Sequence, residues 1–407
     1  MHISDIHIDE LYKQGTDPVS QCHSVNTAKP SANVAGKYGT LASICDTPMA
    51  LLNATFDWMA ENTKDVDFIL YTGDSARHDR DKKMPRQYPT VTYEHQLVVD
   101  KIRSVYDVKK VKFIPTFGNN DQFDYNKMAN DSDPIIASLT SVWEPLGLGL
   151  STNKQWAKGG YFAYELKEGL TVLNLNSMLL FASNVLTSDC AVPNSAGGAM
   201  LTWMESQLKE LRFRGKKAYV MQHVPPTSQA GKSLYFPNCQ SQYINLLGKY
   251  ADTILASFYG HTNSDYLSFV YTNNTDKPRD GPFFLATITD TVPAVDFENS
   301  CVLHVNSQGP AIIPANNPAI RIYDYSTHHR TYGALTDYVQ YWSDVVRANT
   351  IDQVEYDVEY RAARTYGLWN LSPFNWAEAF AGWATNNTAF QNYVRYRFVQ
   401  NPTPALG

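Results

Sequence analysis

The chain has 407 residues, 43% of them hydrophobic and 13% aromatic, enough apolar material for one large core or two smaller ones and far too much for a disordered chain. A formal charge of −6 and a pI near 5.9 argue against a broad basic face for gripping nucleic acid. No run of about 18 uninterrupted apolar residues occurs, so no membrane span is expected.

Met1-His2-Ile3-Ser4 leads straight into Asp5, which reads as the end of a strand with a trimmed start, and a signal or anchor is expected ahead of it. Asp46-Thr47-Pro48 opens a helix over 49–59, with Pro48 suited to the first turn. Residues 66–71 form an apolar strand ending in Gly73-Asp74. A helical stretch at 93–105 leads to a strand at 111–117 that ends in Gly118-Asn119-Asn120-Asp121. A strand at 170–175 precedes an amphipathic helix at 200–212. The strand 217–222 ends at His223, and the strand 253–259 ends in Gly260-His261. Further strands are expected at 266–271, 283–287 and 319–325. Strands separated by helices predict an α/β layered sandwich over residues 1–325. From Ser326 onward, aromatic-rich segments at 332–346, 375–385 and 390–398 predict a helical extension, 326–407, packed on that sandwich.

Five short motifs therefore fall at strand ends: Asp5-x-His7, Gly73-Asp74, Gly118-Asn119-Asn120-Asp121, His223 and Gly260-His261-Thr262-Asn263. A strand end suits a ligand because the rigid strand fixes the side chain while the loop leaves room for substrate. Asp5 and His7 alternate along one strand and are expected to point the same way. Glycines let the backbone turn sharply beside an ion. Mixed carboxylate, imidazole and amide donors suit divalent ions, with zinc the first choice and manganese, iron, cobalt or magnesium the alternatives. A shared carboxylate, here Asp74, can hold two such ions about 3.5–4 Å apart. Taken singly each motif is weak, since Gly-Asp is mostly a turn and a histidine before Val224-Pro225-Pro226 is more often a loop or core residue. Their order along the chain carries the weight.

This series resembles the calcineurin-like metallophosphoesterase superfamily, whose pattern is D-x-H, G-D, G-N-[HN]-[DE], H and G-H-x-H. The resemblance implies a four-layer αββα sandwich and two-metal hydrolysis of a phosphate-containing substrate. One metal would be held by Asp5, His7, Asp74 and Asn263, the other by Asp74, Asn119, His223 and His261. Two positions depart from the pattern. Asn263 stands where most members have histidine, and an amide oxygen is a harder, weaker donor. Asn120 stands in the catalytic position where many members carry the histidine that acts near the leaving group. His78, four residues past Asp74, is the expected replacement acid, and Arg77-His78-Asp79 matches a histidine placement in acid sphingomyelinases. The alternative is that His78 only braces its loop. The implied chemistry is attack by a metal-activated hydroxide while His78 protonates the leaving oxygen.

Within that superfamily the chain resembles the acid sphingomyelinase and endopolyphosphatase branch. Gly36-Lys37-Tyr38-Gly39, Cys45-Asp46-Thr47-Pro48, residues 72–79 and Pro85-Arg86 look like fungal vacuolar endopolyphosphatases. Residues 360–368, Asn317-Pro318 and Arg321-Ile322-Tyr323 look like acid sphingomyelinases. Charge favours the first: Arg77, Arg80, Lys82, Lys83 and Arg86 sit on the loop of the expected acid, and such a strip suits a polyanionic phosphate chain. A choline cation prefers an aromatic cage. The expected reaction is hydrolysis of phosphoanhydride bonds within polyphosphate. The alternatives are a phosphodiesterase acting on phospholipids or nucleotides, and a non-enzymatic relative that kept the fold.

Five cysteines, none in a C-x-x-C pair, exclude a zinc ribbon. Their spacing suggests Cys22–Cys45 and Cys190–Cys239 bridges with Cys301 free, other pairings remaining open. Glycosylation sequons occur at Asn53, Asn130, Asn273, Asn370 and Asn386, with Pro373 disfavouring the fourth. Together these features predict an extracytoplasmic protein, in a vacuole or lysosome lumen or secreted.

Overall fold

The computed structural model describes residues 1–129, 132–385 and 387–403. Its strands form two large mixed sheets. The first has the order Asp357–Arg361, Leu335–Trp342, Ala319–Tyr325, His2–Ile3, Phe68–Tyr71, Lys112–Pro115, and its last three strands are parallel. The second has the order Phe284–Thr287, Leu267–Thr272, Cys301–Gln308, Ile254–Tyr259, Lys217–Met221, Leu170–Asn174, Phe162–Lys167, with its central four strands parallel. Parallel strands covered on both faces need continuous apolar runs, and Phe68-Ile69-Leu70-Tyr71 is buried at every position.

The two sheets meet face to face. Phe68 lies 6.4 Å from Tyr219, Phe258 lies 5.2 Å from Tyr323, and Asn174 Nδ2 donates to the Pro115 carbonyl at 2.8 Å. The helix Met49–Asn62 covers the first sheet through Trp58, whose ring is 5.1 Å from Tyr341, and Tyr88–Val105 packs beside it. Ala196–Phe213, capped by Ser195 Oγ on the Gly198 N–H, and Pro237–Lys249 flank the second sheet. Helices thus lie outside two stacked sheets, the α/β layering expected.

The tail differs from expectation. The span 332–346 is not helical: Leu335–Trp342 is a strand paired antiparallel with Ala319–Tyr325, and the helix Val345–Ile351 follows. Its threonine, valine and aromatic residues favour a pleated surface, and the partner strand lies one hairpin away. Asp357–Arg361 extends the same sheet, and the tail's other helices, Ala362–Tyr366, Pro373–Trp383 and Asn387–Tyr396, follow it. These helices build a second apolar cluster in which Phe380 stacks on Phe269 at 5.0 Å beside Trp376 and Trp383. The strand Cys301–Gln308 was not expected. Its His304, Asn306 and Gln308 are buried polar residues that hide the apolar signature of a central strand.

Cys22 is bonded to Cys45 and Cys190 to Cys239, while Cys301 is free and half-buried. Bridges of this kind suit an oxidising compartment. Asn53 and Asn273 are exposed, and Asn370 is half-buried with its Oδ1 accepting from the Ser372 N–H and from Asn375. Asn130 and Asn386 lie outside the described residues. Among the described residues no helix is long and apolar enough to cross a membrane.

Candidate metal centre

Five parallel strands, from both sheets, end at one place. Asp5 and His7 follow His2–Ile3, Asp74 follows Phe68–Tyr71, and Asn119 and Asn120 follow Lys112–Pro115. His223 follows Lys217–Met221, and His261 and Asn263 follow Ile254–Tyr259. The expectation that Asp5 and His7 alternate on a strand is corrected: the strand stops at Ile3, and both residues turn inward from left-handed backbone. Asp5, His7, Asp74, His261 and Asn263 have φ of 49°, 46°, 61°, 78° and 54°. Such conformations cost on the order of 1–3 kcal/mol each for non-glycine residues and cluster where function over-determines the geometry.

The loops lock one another by backbone bonds. The Asp5 N–H donates to the Gly73 carbonyl at 2.9 Å, the His7 N–H to the Asp74 carbonyl at 3.0 Å, and the Gly260 N–H to the His223 carbonyl at 2.9 Å. Asp121 does not face the cluster. Its carboxylate accepts from the backbone N–H groups of Asp74, Ser75, Ala76 and Gly118 and lies 3.1 Å from His95 Nε2, which staples the Gly-Asp loop to the Gly-Asn-Asn loop.

Around Asp74 the side chains converge. Its Oδ2 is 3.4 Å from His7 Nε2 and 3.2 Å from His223 Nε2, and His7 Nε2 is 3.7 Å from Asp5 Oδ1. Asn119 Oδ1 lies 3.0 Å from His223 Nε2 and 2.7 Å from His261 Nδ1, while its Nδ2 donates to Asn126 and so turns the oxygen inward. His7 Nδ1 is held by the Ala76 carbonyl at 3.0 Å and His223 Nδ1 by the Thr72 carbonyl at 2.7 Å, which points each Nε2 toward the centre, where a cation would displace its proton and take the lone pair. Asn120 donates from its backbone N and its Nδ2 to the two Asp74 oxygens at 2.8 and 2.7 Å.

These groups fit a cation pair. Asp5 and Asp74 are buried, and buried carboxylates need compensating positive charge. Asn263 Oδ1 is buried without a hydrogen-bond partner among the described residues, a donor oxygen with nothing yet to bind. Ionisation carries the same imprint. Burial lowers the His223 pKa but Asp74 overrides it, raising it to about 9, whereas burial and the neighbouring His223 push His261 down to about 4. Asp5, Asp74 and His223 offer ligand atoms within 4.8 Å of one another. A Cβ on Gly260 would lie 2.5 Å from Asp5 Oδ2 and 3.2 Å from His223 Nδ1. Gly260→Ala is therefore expected to weaken metal affinity about 10–100-fold with the fold retained. Chelator-competition titration beside circular dichroism checks this, and wild-type affinity would contradict it.

His78 stands at the rim. Its ring stacks on His7 at 4.2 Å, and its Nδ1 and backbone N both meet Asp46, each at 2.6 Å. Nδ1 being committed, Nε2 is the nitrogen left to face a substrate. Asp46 was read from sequence as part of a helix start and of the Cys45-Asp46-Thr47-Pro48 resemblance, with no role at the site. The helix begins at Met49 with Pro48 at its N-cap and no side-chain cap, while the Asp46 carboxylate is spent on His78, which helps hold its pKa down to about 2 against burial. The cue available was its place beside Cys45, whose disulfide fixes that loop.

The five cations of the same loop divide. Arg77 and Arg86 are buried with guanidinium groups turned to backbone carbonyls: Arg77 to Met84, and Arg86 to Arg77, Asn120 and Gln122. Both fold the loop instead of facing solvent, contrary to the substrate-binding role read from sequence. Arg80, Lys82 and Lys83 are exposed.

Residues 1–265 match the model of the calcineurin-like phosphoesterase family, and residues 302–405 match that of the acid sphingomyelin phosphodiesterase C-terminal region. The chain is similar to an endopolyphosphatase of Neurospora crassa, 34% identical over 275 residues that cover 65% of this chain and 37% of that one. It is similar to acid sphingomyelinase-like phosphodiesterase 3b of Homo sapiens, 28% identical over 408 residues that cover 98% and 82%. A sphingomyelinase phosphodiesterase C of Dictyostelium discoideum is 25% identical over 415 residues, covering 99% and 85%. The chain spans only 37% of that endopolyphosphatase and 43% of another from Cryptococcus neoformans. Because the first match runs through every loop that converges on Asp74, and through more than half of the sequence, this chain belongs to the calcineurin-like phosphoesterase family.

Proposed function

We infer that the chain is a metal-dependent phosphoesterase that hydrolyses phosphoanhydride bonds within inorganic polyphosphate, in a lumenal or secreted setting. The observation that carries the hydrolase reading is the convergence of Asp5, His7, Asp74, Asn119, His223 and His261 from five strand ends, with Asn263 two residues past His261. Members of the family use two divalent metals. Asp5, His7, Asp74 and Asn263 would hold one, and Asp74, Asn119, His223 and His261 the other. When bound, such ions supply Lewis acidity that lowers the pKa of attacking water and neutralises phosphoryl oxygens.

The protein's own groups do the rest. Asn120 fixes the Asp74 carboxylate through its two hydrogen bonds. His78, oriented by Asp46, gives its Nε2 proton to the bridging oxygen as the P–O bond breaks and the new bond to water oxygen forms. The exposed Arg80, Lys82 and Lys83 favour a polyanion over a choline ester, in keeping with the endopolyphosphatase relatives. A phosphodiester substrate is the second reading, supported by likeness over nearly the whole chain to acid sphingomyelinase-like proteins and by the match at 302–405. The test offers long-chain polyphosphate, sphingomyelin and bis-p-nitrophenyl phosphate at acidic pH with zinc, manganese, cobalt or magnesium. Shortening of polyphosphate to intermediate lengths is the expected result. Diester cleavage with polyphosphate untouched would transfer the assignment to the second reading.

A further inference from the structure

Beside the metal centre the disulfide-tied loop at 17–26 and the loop at 80–84 enclose a groove of about 540 Å³. One wall carries Arg80, Asp81, Lys82 and Lys83, and the other carries Asp17, Ser20, Gln21 and Asn26. The acids nearby are already engaged. Asp17 accepts from the Val19 N–H and from Asn26 Nδ2, Asp79 accepts from the Arg86 N–H, and Asp81 is paired with His23. The groove's lining therefore carries three cations against the two carboxylates of Asp17 and Asp81, the second of them paired with His23, in a protein of net charge −6. Arg80 Nη1 reaches the Ile44 carbonyl at 3.4 Å, two residues from the Asp46 that orients His78, so the cationic wall starts next to the proposed acid.

His23 holds this wall in place. Its Nδ1 is 2.7 Å from Asp81 Oδ2 and its Nε2 is 2.8 Å from Asp9 Oδ2, with the residue only 4% exposed. A neutral imidazole has one N–H and would set a lone pair against one of the two carboxylates, so this geometry calls for the imidazolium form. Asp9 lies on the short strand Ile8–Asp9 that leaves His7 and pairs with Thr47–Pro48. The clamp thus ties the cationic loop to the segment carrying a candidate ligand.

We propose that this groove is an anion subsite for the non-reacting phosphates of the substrate, and that His23, clamped between Asp9 and Asp81, is the positioning residue that keeps Arg80, Lys82 and Lys83 facing it. The proposal rests on the polyphosphate reading for its ligand class. Loss of the His23 proton breaks the clamp and frees Asp81 to compete for the neighbouring lysines. Asp9 and Asp81 are the ionisable groups facing the ring. Burial lowers its pKa and the two carboxylates more than offset this, so the net shift is upward. Anion binding is accordingly strongest at acidic pH and declines as pH rises through that raised value.

The test titrates a non-hydrolysable methylene-bridged triphosphonate, with methylphosphonate as the single-phosphate control, into the metal-loaded protein from pH 5 to pH 8. Lys82→Ala/Lys83→Ala is expected to weaken triphosphonate binding about tenfold while changing methylphosphonate binding far less. His23→Gln is expected to remove the strengthening toward acid pH. The lysines are exposed, so their variant tests the groove independently of folding. Equal triphosphonate affinity in the wild type and the lysine variant would overturn the subsite, and an unchanged pH profile in His23→Gln would overturn the clamp. Lysine-dependent binding in a protein unable to cut polyphosphate would retire the polyphosphate reaction and keep the groove. Undiminished cutting and binding in the lysine variant would do the reverse.

Discussion

His78→Ala is expected to lower turnover about 10²–10⁴-fold, the usual contribution of a positioned general acid, while bound metal is unchanged. The reason lies in its two nitrogens. Asp46 takes Nδ1 at 2.6 Å, which fixes the ring plane, so the acid is the imidazolium form, whose second proton sits on Nε2 for the departing oxygen. His78 stacks on His7 and groups with it and Asp46, outside the grouping of Asp5, Asp74 and His223. The same logic makes Asp46→Asn a milder defect, about 10–100-fold, since the imidazole remains but loses its orienting carboxylate. An acid matters most for a poor leaving group. The His78→Ala loss should therefore shrink on p-nitrophenyl esters, whose leaving oxygen needs no proton. Steady-state kinetics on both substrate types, with metal analysis of each protein, is the measurement. Equal losses on both types, or stripped metal, would recast His78 as a brace for its loop.

Arg321→Ala is expected to cost about 3–5 kcal/mol of stability, because it strands a buried carboxylate. Arg321 is fully buried, with Nη2 2.7 Å from Asp265 Oδ1, Nε 3.0 Å from Gln340 Oε1 and Nη1 2.8 Å from Ser307 Oγ. Its guanidinium also sits 4.1 Å from the Tyr338 ring centroid. One side chain thus joins the first sheet, the second sheet and the loop that follows Asn263. Asp265 is further tied to the tail, since Tyr360 donates to its carboxylate and its own N–H donates to the Arg397 carbonyl at 2.8 Å. Asp265→Leu combined with Arg321→Met should recover much of the loss, since well-packed apolar replacements of a buried pair are often neutral. Denaturant unfolding of both singles and the double measures this. Singles as stable as wild type would dismiss the pair as a structural tie.

The same network gives stability a pH dependence. Glu359 accepts from Gln340 Nε2 at 2.7 Å, and burial pushes its pKa from 4.5 up to about 8. Between those values the folded protein keeps a proton that the unfolded chain releases. This contribution is full below about pH 4.5 and is lost as pH rises through 8. Glu359→Gln should flatten the fall in melting temperature between pH 5 and 8, and a curve parallel to wild type would count against that assignment.

Much of the fold was legible because its signals are local. Apolar runs ending in Gly-Asp, Gly-Asn-Asn and Gly-His place donors at strand ends without knowledge of their neighbours, and Asp5, His7, Asp74, Asn119, His223 and His261 lie in one linked cluster. The strand Leu335–Trp342 was misread because tyrosine and tryptophan populate both helices and strands, and only its hairpin partner decides between them. Cys301–Gln308 was missed because polar residues satisfied by distant partners look like loop, as when His304 meets Ser257 at 2.7 Å.

The order of amino acids by itself determined the ligand types, the strand-end positions that carry them, and hence the family. Only the tertiary structure decided which groups hold those ligands and aim the acid. Asp46 meets His78 across 32 residues, Asp121 gathers the Asp74 loop from 47 residues away, and Asp81 closes on His23 across 58. It also turned Arg77 and Arg86 inward to carbonyls while leaving Arg80, Lys82 and Lys83 outside. A donor type is a property of one residue, whereas its orientation and charge state depend on what packs against it, and that exists only once the chain has closed.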